Sequence, residues 1–179
     1  MLNLQLATKY SRAMFLLAQE EGKLNEYDRE LRSLLSDIEG APELKAYLES
    51  PMIPRQAKQE AVEKIFGGEL SPMTMNFLRL LLDKHRISLL KEIVQQYDTF
   101  SNEAQGILVA DVTTARSISD GMGEKLMAKL GELTGKTIKL RKHLDEKLLG
   151  GAVVRMGDHL IDGSLKSRMK ALEAQLLAD

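Results

Sequence analysis

The residues with the most chemical potential in this chain lie in its last third. Gly131-Glu132-Leu133-Thr134-Gly135-Lys136-Thr137 carries the glycines, lysine and threonine of a phosphate-cradling loop, in which backbone N–H groups and the start of a following helix hold an anion. The segment is one residue short between its glycines, and its order is reversed: helical periodicity leads in and an alternating segment follows. No helix start would face the phosphate, whereas a helix end and a turn account for the same residues. Gly121 and Gly123 make half of a dinucleotide-binding motif, but Leu126 stands where the third glycine belongs and the loop from Ala115 is long. His85, His143 and His159 have no second ligand at metal spacing. Asp158 and Asp162 would suit an acid/base pair, yet each adjoins a glycine in a turn, where aspartate is expected for backbone reasons. Cysteine is absent, which removes thiol nucleophiles, thiolate metal sites and disulfides. No serine or threonine has the surroundings of an activated nucleophile. The expectation is a chain with no catalytic residue, no metal and no cofactor.

Lys136, Lys139, Arg141 and Lys142, with Lys166, Arg168 and Lys170, supply the cations that phosphate contacts need. After Phe100, however, the chain has no aromatic ring on which a base could stack. A solvated face, or one meeting an acidic protein helix, suits these residues better than nucleic acid.

The elements that would position these groups fall into two kinds. Residues 3–21 predict a first helix, with Leu6, Tyr10, Ala13 and Leu17 on one apolar stripe and Ala7, Met14 and Ala18 on the adjacent one. Residues 24–39 predict a second on Tyr27, Leu31, Leu34 and Ile38, and Pro42 opens a short third. Ser50-Pro51-Met52-Ile53-Pro54 stops the chain, since neither proline fits a helix interior. A fourth helix over 55–66 should turn Ala57, Ala61, Val62 and Ile65 inward. A fifth over 72–84, capped by Ser71, is apolar around more than half its circumference: Met73, Met75, Phe77, Leu78, Leu80, Leu81 and Leu82. A helix so apolar is central to a bundle or docked on both sides. A sixth spans 87–104.

From Gly106 the period shifts to two. Leu108, Ala110, Val112 and Thr114 alternate with Ile107, Val109, Asp111 and Thr113, the mark of a strand. A helix from Ser119 to Thr134 and a strand over Thr137–His143 follow. Ala152 to Met156 and His159 to Asp162 read as a hairpin around Gly157-Asp158, with glycine first as a type II′ turn asks. Gly163 can take a positive φ and Asp162 or Ser164 can cap the last helix, on which Leu165, Met169, Leu172 and Leu176 share a face. The expected fold is mainly α: a six-helix N-terminal bundle over 1–105, then a small α+β C-terminal domain over 106–179.

Bulk properties agree with a globular chain. It has 179 residues, 44% hydrophobic and 28% charged, enough to bury roughly 70% of its extended surface. Residues 1–105 carry 13 Lys/Arg against 16 Asp/Glu, a net of −3, and residues 106–179 carry 12 against 10, a net of +2. The apolar run through Met14 to Ala18 is too short for a secretory signal. Nothing approaches the ~20 apolar residues of a membrane span, so membrane association is expected only through other proteins.

Gly150-Gly151, Arg155, Gly157-Asp158, Ile161-Asp162-Gly163-Ser164 and Arg168 together resemble the C-terminal signature of the delta subunit of the F-type ATP synthase, whose mitochondrial counterpart is the oligomycin-sensitivity-conferring protein. Tyr10-Ser11-Arg12-Ala13-Met14-Phe15 and Asn76-Phe77-Leu78-Arg79-Leu80-Leu81, with Arg86, resemble the family's first- and fifth-helix motifs. His85 departs from the asparagine or small residue expected before Arg86. The resemblance implies a non-catalytic stator subunit on the cytoplasmic face of a bacterial inner membrane. It implies that the first and fifth helices hold the N-terminal helix of the alpha subunit, with Tyr10, Ala13 and Leu17 on one wall and Leu78 and Leu82 on the other. The C-terminal domain would hold the C-terminus of the b subunit. Gly150, Gly151, Gly157, Asp158, Asp162, Gly163 and Ser164 would be structural turn and cap positions. An RNA-binding helical module and a small enzyme stay open as alternatives: salt-insensitive RNA binding would remove the first, and the second would require ligand-dependent melting shifts.

Overall fold

A computed structural model of the chain describes residues 2–157 and 159–176. It divides into two compact units between Ser101 and Asn102, inside the last helix of the first half rather than after it. Six α-helices precede the strands: α1 (Leu2–Glu20), α2 (Leu24–Gly40), α3 (Pro42–Glu49), α4 (Arg55–Phe66), α5 (Pro72–Asp83) and α6 (Leu90–Ala104). The sixth helix is entered through a separate 3₁₀ turn, Ile87–Leu89. The helices share one core, built on Ala7, Met14 and Ala18 of α1, Tyr27, Leu31 and Leu34 of α2, Leu78, Leu81 and Leu82 of α5, and Ile93 and Tyr97 of α6. Phe15 lies edge-on to Tyr97, with ring centroids 6.5 Å apart.

Two polar devices fix α4 and α5. The Glu30 carboxylate on α2 accepts hydrogen bonds from the Ser71 backbone N–H (3.2 Å), the Ser71 hydroxyl (2.7 Å) and the Thr74 hydroxyl. Ser71 in turn caps α5 by accepting from the Thr74 N–H at 3.3 Å, so α2 and α5 are bound by a half-buried hydrogen-bond network. On α4 the inward stripe is Lys58, Val62 and Phe66, which corrects the expected Ala57, Ala61, Val62 and Ile65. Ile65 faces water and the two alanines are half-buried. Lys58 takes the buried position because its stem packs while its Nζ donates to the Ser50 carbonyl at 2.7 Å, satisfying a backbone acceptor at the end of α3.

The second unit holds a mixed four-stranded sheet in the order β2-β1-β3-β4. Its strands are β1 (Ile107–Thr114), β2 (Thr137–Leu144), β3 (Ala152–Met156) and β4 (His159–Asp162). β1 pairs in parallel with β2, so α7 (Asp120–Thr134) makes the crossover between them. β3 is antiparallel to β1, with Val112 opposite Val154, and β4 is antiparallel to β3. Leu130, Leu126 and Met127 of α7 cover Ala110, Val112, Ile138, Val154 and Met156 on one face. The chain closes with α8 (Leu165–Leu176).

Candidate partner-binding surfaces

The two apolar stripes of α1 have different fates. Ala7, Met14 and Ala18 are sealed in the core, while Leu6 and Tyr10 are half-buried, Ala13 is exposed and Leu17 is 38% exposed. The split follows from helix geometry: the second stripe is rotated by about a quarter turn from the first, enough to leave it outside the packed face. The Tyr10 ring meets Phe77 of α5 edge-on, with centroids 6.5 Å apart and planes at 71°. That contact places the outer stripe of α1 beside α5.

On α5 the structure corrects the expected wall. Leu78 and Leu82 are 0% and 1% exposed and point into the core, where neither offers surface to a partner. The side of α5 bearing Phe77 carries Met73, half-buried, and Leu80, 42% exposed, with exposed Asn76 beside them. A helix apolar around most of its girth has two edges, and periodicity alone did not say which would be filled from within. The Arg79 guanidinium at the rim is paired with Glu63 of α4. The outer apolar surface along the α1/α5 edge is therefore Tyr10, Ala13 and Leu17 with Met73 and Leu80, and Phe77 is buried beneath it.

The glycine-rich signature of the second unit is structural. A Cβ on Gly151 (φ 85°) would sit 2.3 Å from the Gly163 carbonyl oxygen, and one on Gly150 would sit 2.6 Å from Cδ1 of Leu165. Gly163 does not adopt the positive φ expected of it. It is needed for closeness instead, since its N–H donates to the Ala152 carbonyl at 2.9 Å and its would-be Cβ lies 3.2 Å from that oxygen. Asp162 and Ser164 both cap α8. Asp162 accepts from the Ser164 N–H at 2.9 Å and the Ser167 hydroxyl at 2.6 Å, and Ser164 accepts from the Ser167 N–H at 3.2 Å. Those hydrogen bonds, the one from Ser167 foremost, hold the Asp162 carboxyl below its usual range. Gly157 has the positive φ, 56°, that the hairpin reading requires. Asp158 lies outside the described residues. Leu165 and Met169 of α8 are exposed, and the side chains of Leu172 and Leu176 also lie outside the described residues.

Beside this junction lies a cleft of about 670 Å³, floored by Ile118, Met122, Leu126, Leu149 and Ala152 and edged by Gly150, Gly151, Gly163, Arg116 and Arg168.

The tempting chemical motifs resolve into ordinary parts. Gly135 is the left-handed residue ending α7, its N–H bonded to the Gly131 carbonyl. Lys142 pairs with Asp120 at 3.0 Å, and Arg141 and His143 with Asp111 at 3.1 and 3.0 Å, so part of the basic run is matched within its own unit. Among the described residues no three His, Cys, Asp or Glu side chains are grouped to hold a metal. None of the helices there is long and apolar enough to cross a membrane.

A family model described as "ATP synthase delta (OSCP) subunit" matches residues 6–176. The chain belongs to that family. It is 36% identical over 176 residues to the ATP synthase subunit delta of Syntrophomonas wolfei, covering 98% of this chain and 97% of the relative. It is 38% identical over 168 residues to the subunit delta of Salinibacter ruber, covering 94% and 88%. In fold it is similar to a chain in the cryo-EM structure of the Toxoplasma gondii mitochondrial ATP synthase hexamer, with TM-score 0.75 at 20% identity over 97% of this chain and 98% of that one. Members of the delta (OSCP) family are non-catalytic subunits. His85 sits at φ 52° just past α5, a left-handed position in which asparagine or glycine is at ease and most residues are not.

Proposed function

We propose that this chain is a stator subunit of an F-type ATP synthase, tying the catalytic alpha/beta head to the b-subunit peripheral stalk so that rotor torque does not spin the head. It would act as a peripheral protein on the cytoplasmic face of a bacterial inner membrane, joined to the membrane only through the complex. In this reading the helical unit is a six-helix bundle over 1–105 that grips the head, and the α+β domain over 106–179 grips the stalk.

The observation that carries the reading is the open apolar surface shared by α1 and α5. Tyr10, Ala13 and Leu17 form one wall, and Met73 and Leu80 form the other, with Phe77, Leu78 and Leu82 packed behind as its support. An amphipathic helix laid there would bury its i, i+3/i+4 and i+7 anchors. Each large apolar side chain removed from water stabilises the complex by ~1.5–3 kcal/mol, so a few anchors outweigh the cost of ordering a peptide. Small Ala13 lets the incoming backbone come close. The occupant is the N-terminal helix of the alpha subunit.

Titration calorimetry with an alpha N-terminal peptide tests this. Leu17→Asp and Leu80→Asp should each weaken binding at least about tenfold, because a buried unpaired carboxylate replaces an apolar contact, while circular dichroism stays unchanged. Unaltered affinity in both variants would remove the α1/α5 assignment.

A further inference from the structure

The cleft beside the glycine junction combines two features that the helical surface lacks. Its floor is apolar, with Met122 and Leu149 largely exposed to water. At its edge stand two guanidiniums, Arg116 and Arg168, neither with a hydrogen-bond or ion-pair partner among the described residues. Elsewhere in the same unit Arg141 and Lys142 are matched by carboxylates. The remaining edge is the main chain of Gly150, Gly151 and Gly163. A site of about 670 Å³ accommodates several large side chains, and two guanidiniums offer paired N–H donors suited to a carboxylate.

We infer that this cleft receives the carboxyl-terminal end of a partner helix, apolar side chains on the floor and the terminal carboxylate on Arg116 and Arg168. A helix end suits the site better than a mid-helix acidic residue. It brings unsatisfied carbonyls, the negative pole of the helix and a free carboxylate together. The inference rests on the proposed stator role, in which this unit holds the C-terminus of the b subunit, and adds where and by what chemistry.

The test uses the full chain and a peptide of the last ~30 residues of the b subunit from the same organism, about 45 Å if helical, made as free acid and as C-terminal amide. Calorimetry should show the amide binding about tenfold more weakly, the loss expected for one charge-assisted pair. Arg168→Gln should weaken the free acid by a similar factor and erase the difference between the two peptides. Amide resonances of Ile118, Met122, Leu126 and Leu149 should shift on binding. Equal affinity for both forms, or a footprint elsewhere, overturns the inference and leaves the stalk role standing. No binding of either form, with the alpha peptide still bound, overturns the stalk role as well. Decanoate displacing the peptide from an otherwise unchanged footprint would support the pairing of apolar floor with carboxylate.

Discussion

The two units solve opposite packing problems. The helical unit has a broad core with fully buried Tyr27 and Tyr97, and leaves Leu4, Leu16, Leu17, Met52, Ile65 and Leu80 exposed, of which Leu17 and Leu80 lie on the edge of α1 and α5. The sheet unit buries a handful of aliphatic residues and leaves Met122, Leu133, Leu144, Leu149, Leu160, Ile161, Leu165 and Met169 in water. Exposed apolar side chains mark an interaction site where they lie together, as Met122 and Leu149 do in the cleft. One unit is held together by its own interior and offers a shaped edge. The other is held by backbone junctions and has more of its apolar surface in reserve for neighbours.

The contrast can be broken most sharply at Gly151. Gly151→Ala drives a methyl into the Gly163 carbonyl, with no flexible side chain to yield. It should destabilise the sheet unit by about 3 kcal/mol or more and lower the part of a calorimetric melt belonging to residues 102–179. A single unshifted transition would show that the junction is not what holds that unit. Leu78→Ala should cost about 2–5 kcal/mol in the helical unit, as buried leucine truncations do, whereas Leu80→Ala should stay within about 0.5 kcal/mol; urea melts of the pair decide which edge of α5 is interior. A smaller change of the opposite sign is expected at His85, where glycine relieves a left-handed backbone and should stabilise by roughly 1 kcal/mol.

Alkaline and acid titration should separate the units again. Burial and the hydrogen bond it donates to Glu21 push the Tyr27 hydroxyl up to about 12, and burial raises Tyr97 further still. A folded state that favours the protonated phenol is fully stabilised below pH ~10, the ordinary tyrosine value. It loses that stability as pH rises toward the folded value. All four tyrosines precede Ser101, so phenolate absorbance reports this loss for the helical unit alone. Asp162 works in the other direction. Its lowered carboxyl favours folding above the usual aspartate range, and the advantage fades as pH falls through the folded value. The acid arm should belong to the sheet unit and flatten in Asp162→Asn.

The sequence displayed most of this through periodicity and punctuation. The two stripes of α1, the alternation of β1 and the capping of α5 by Ser71 could each be read because one local rule governed each. What stayed hidden depended on distant partners. Lys58 is inward because a carbonyl eight residues back needs a donor. Glu30 is bound by residues more than 40 positions away. Leu78 and Leu80 are indistinguishable as letters and separated only by which edge of α5 the core fills. A glycine at 163 suggests freedom of rotation, whereas its bareness toward Ala152 and Gly151 is what the fold uses.

The Gly150–Gly151–Gly163 junction has one further consequence. It launches α8 through main-chain contacts: the Leu165 N–H to the Gly150 carbonyl, the Gly163 N–H to that of Ala152, and glycine against glycine. The direction in which the final helix sets out is thus decoupled from most of the letters written on it. Its outward side chains are free to be respelled to suit a changed neighbour, so adaptation can proceed at the tip while the hinge-post stays put.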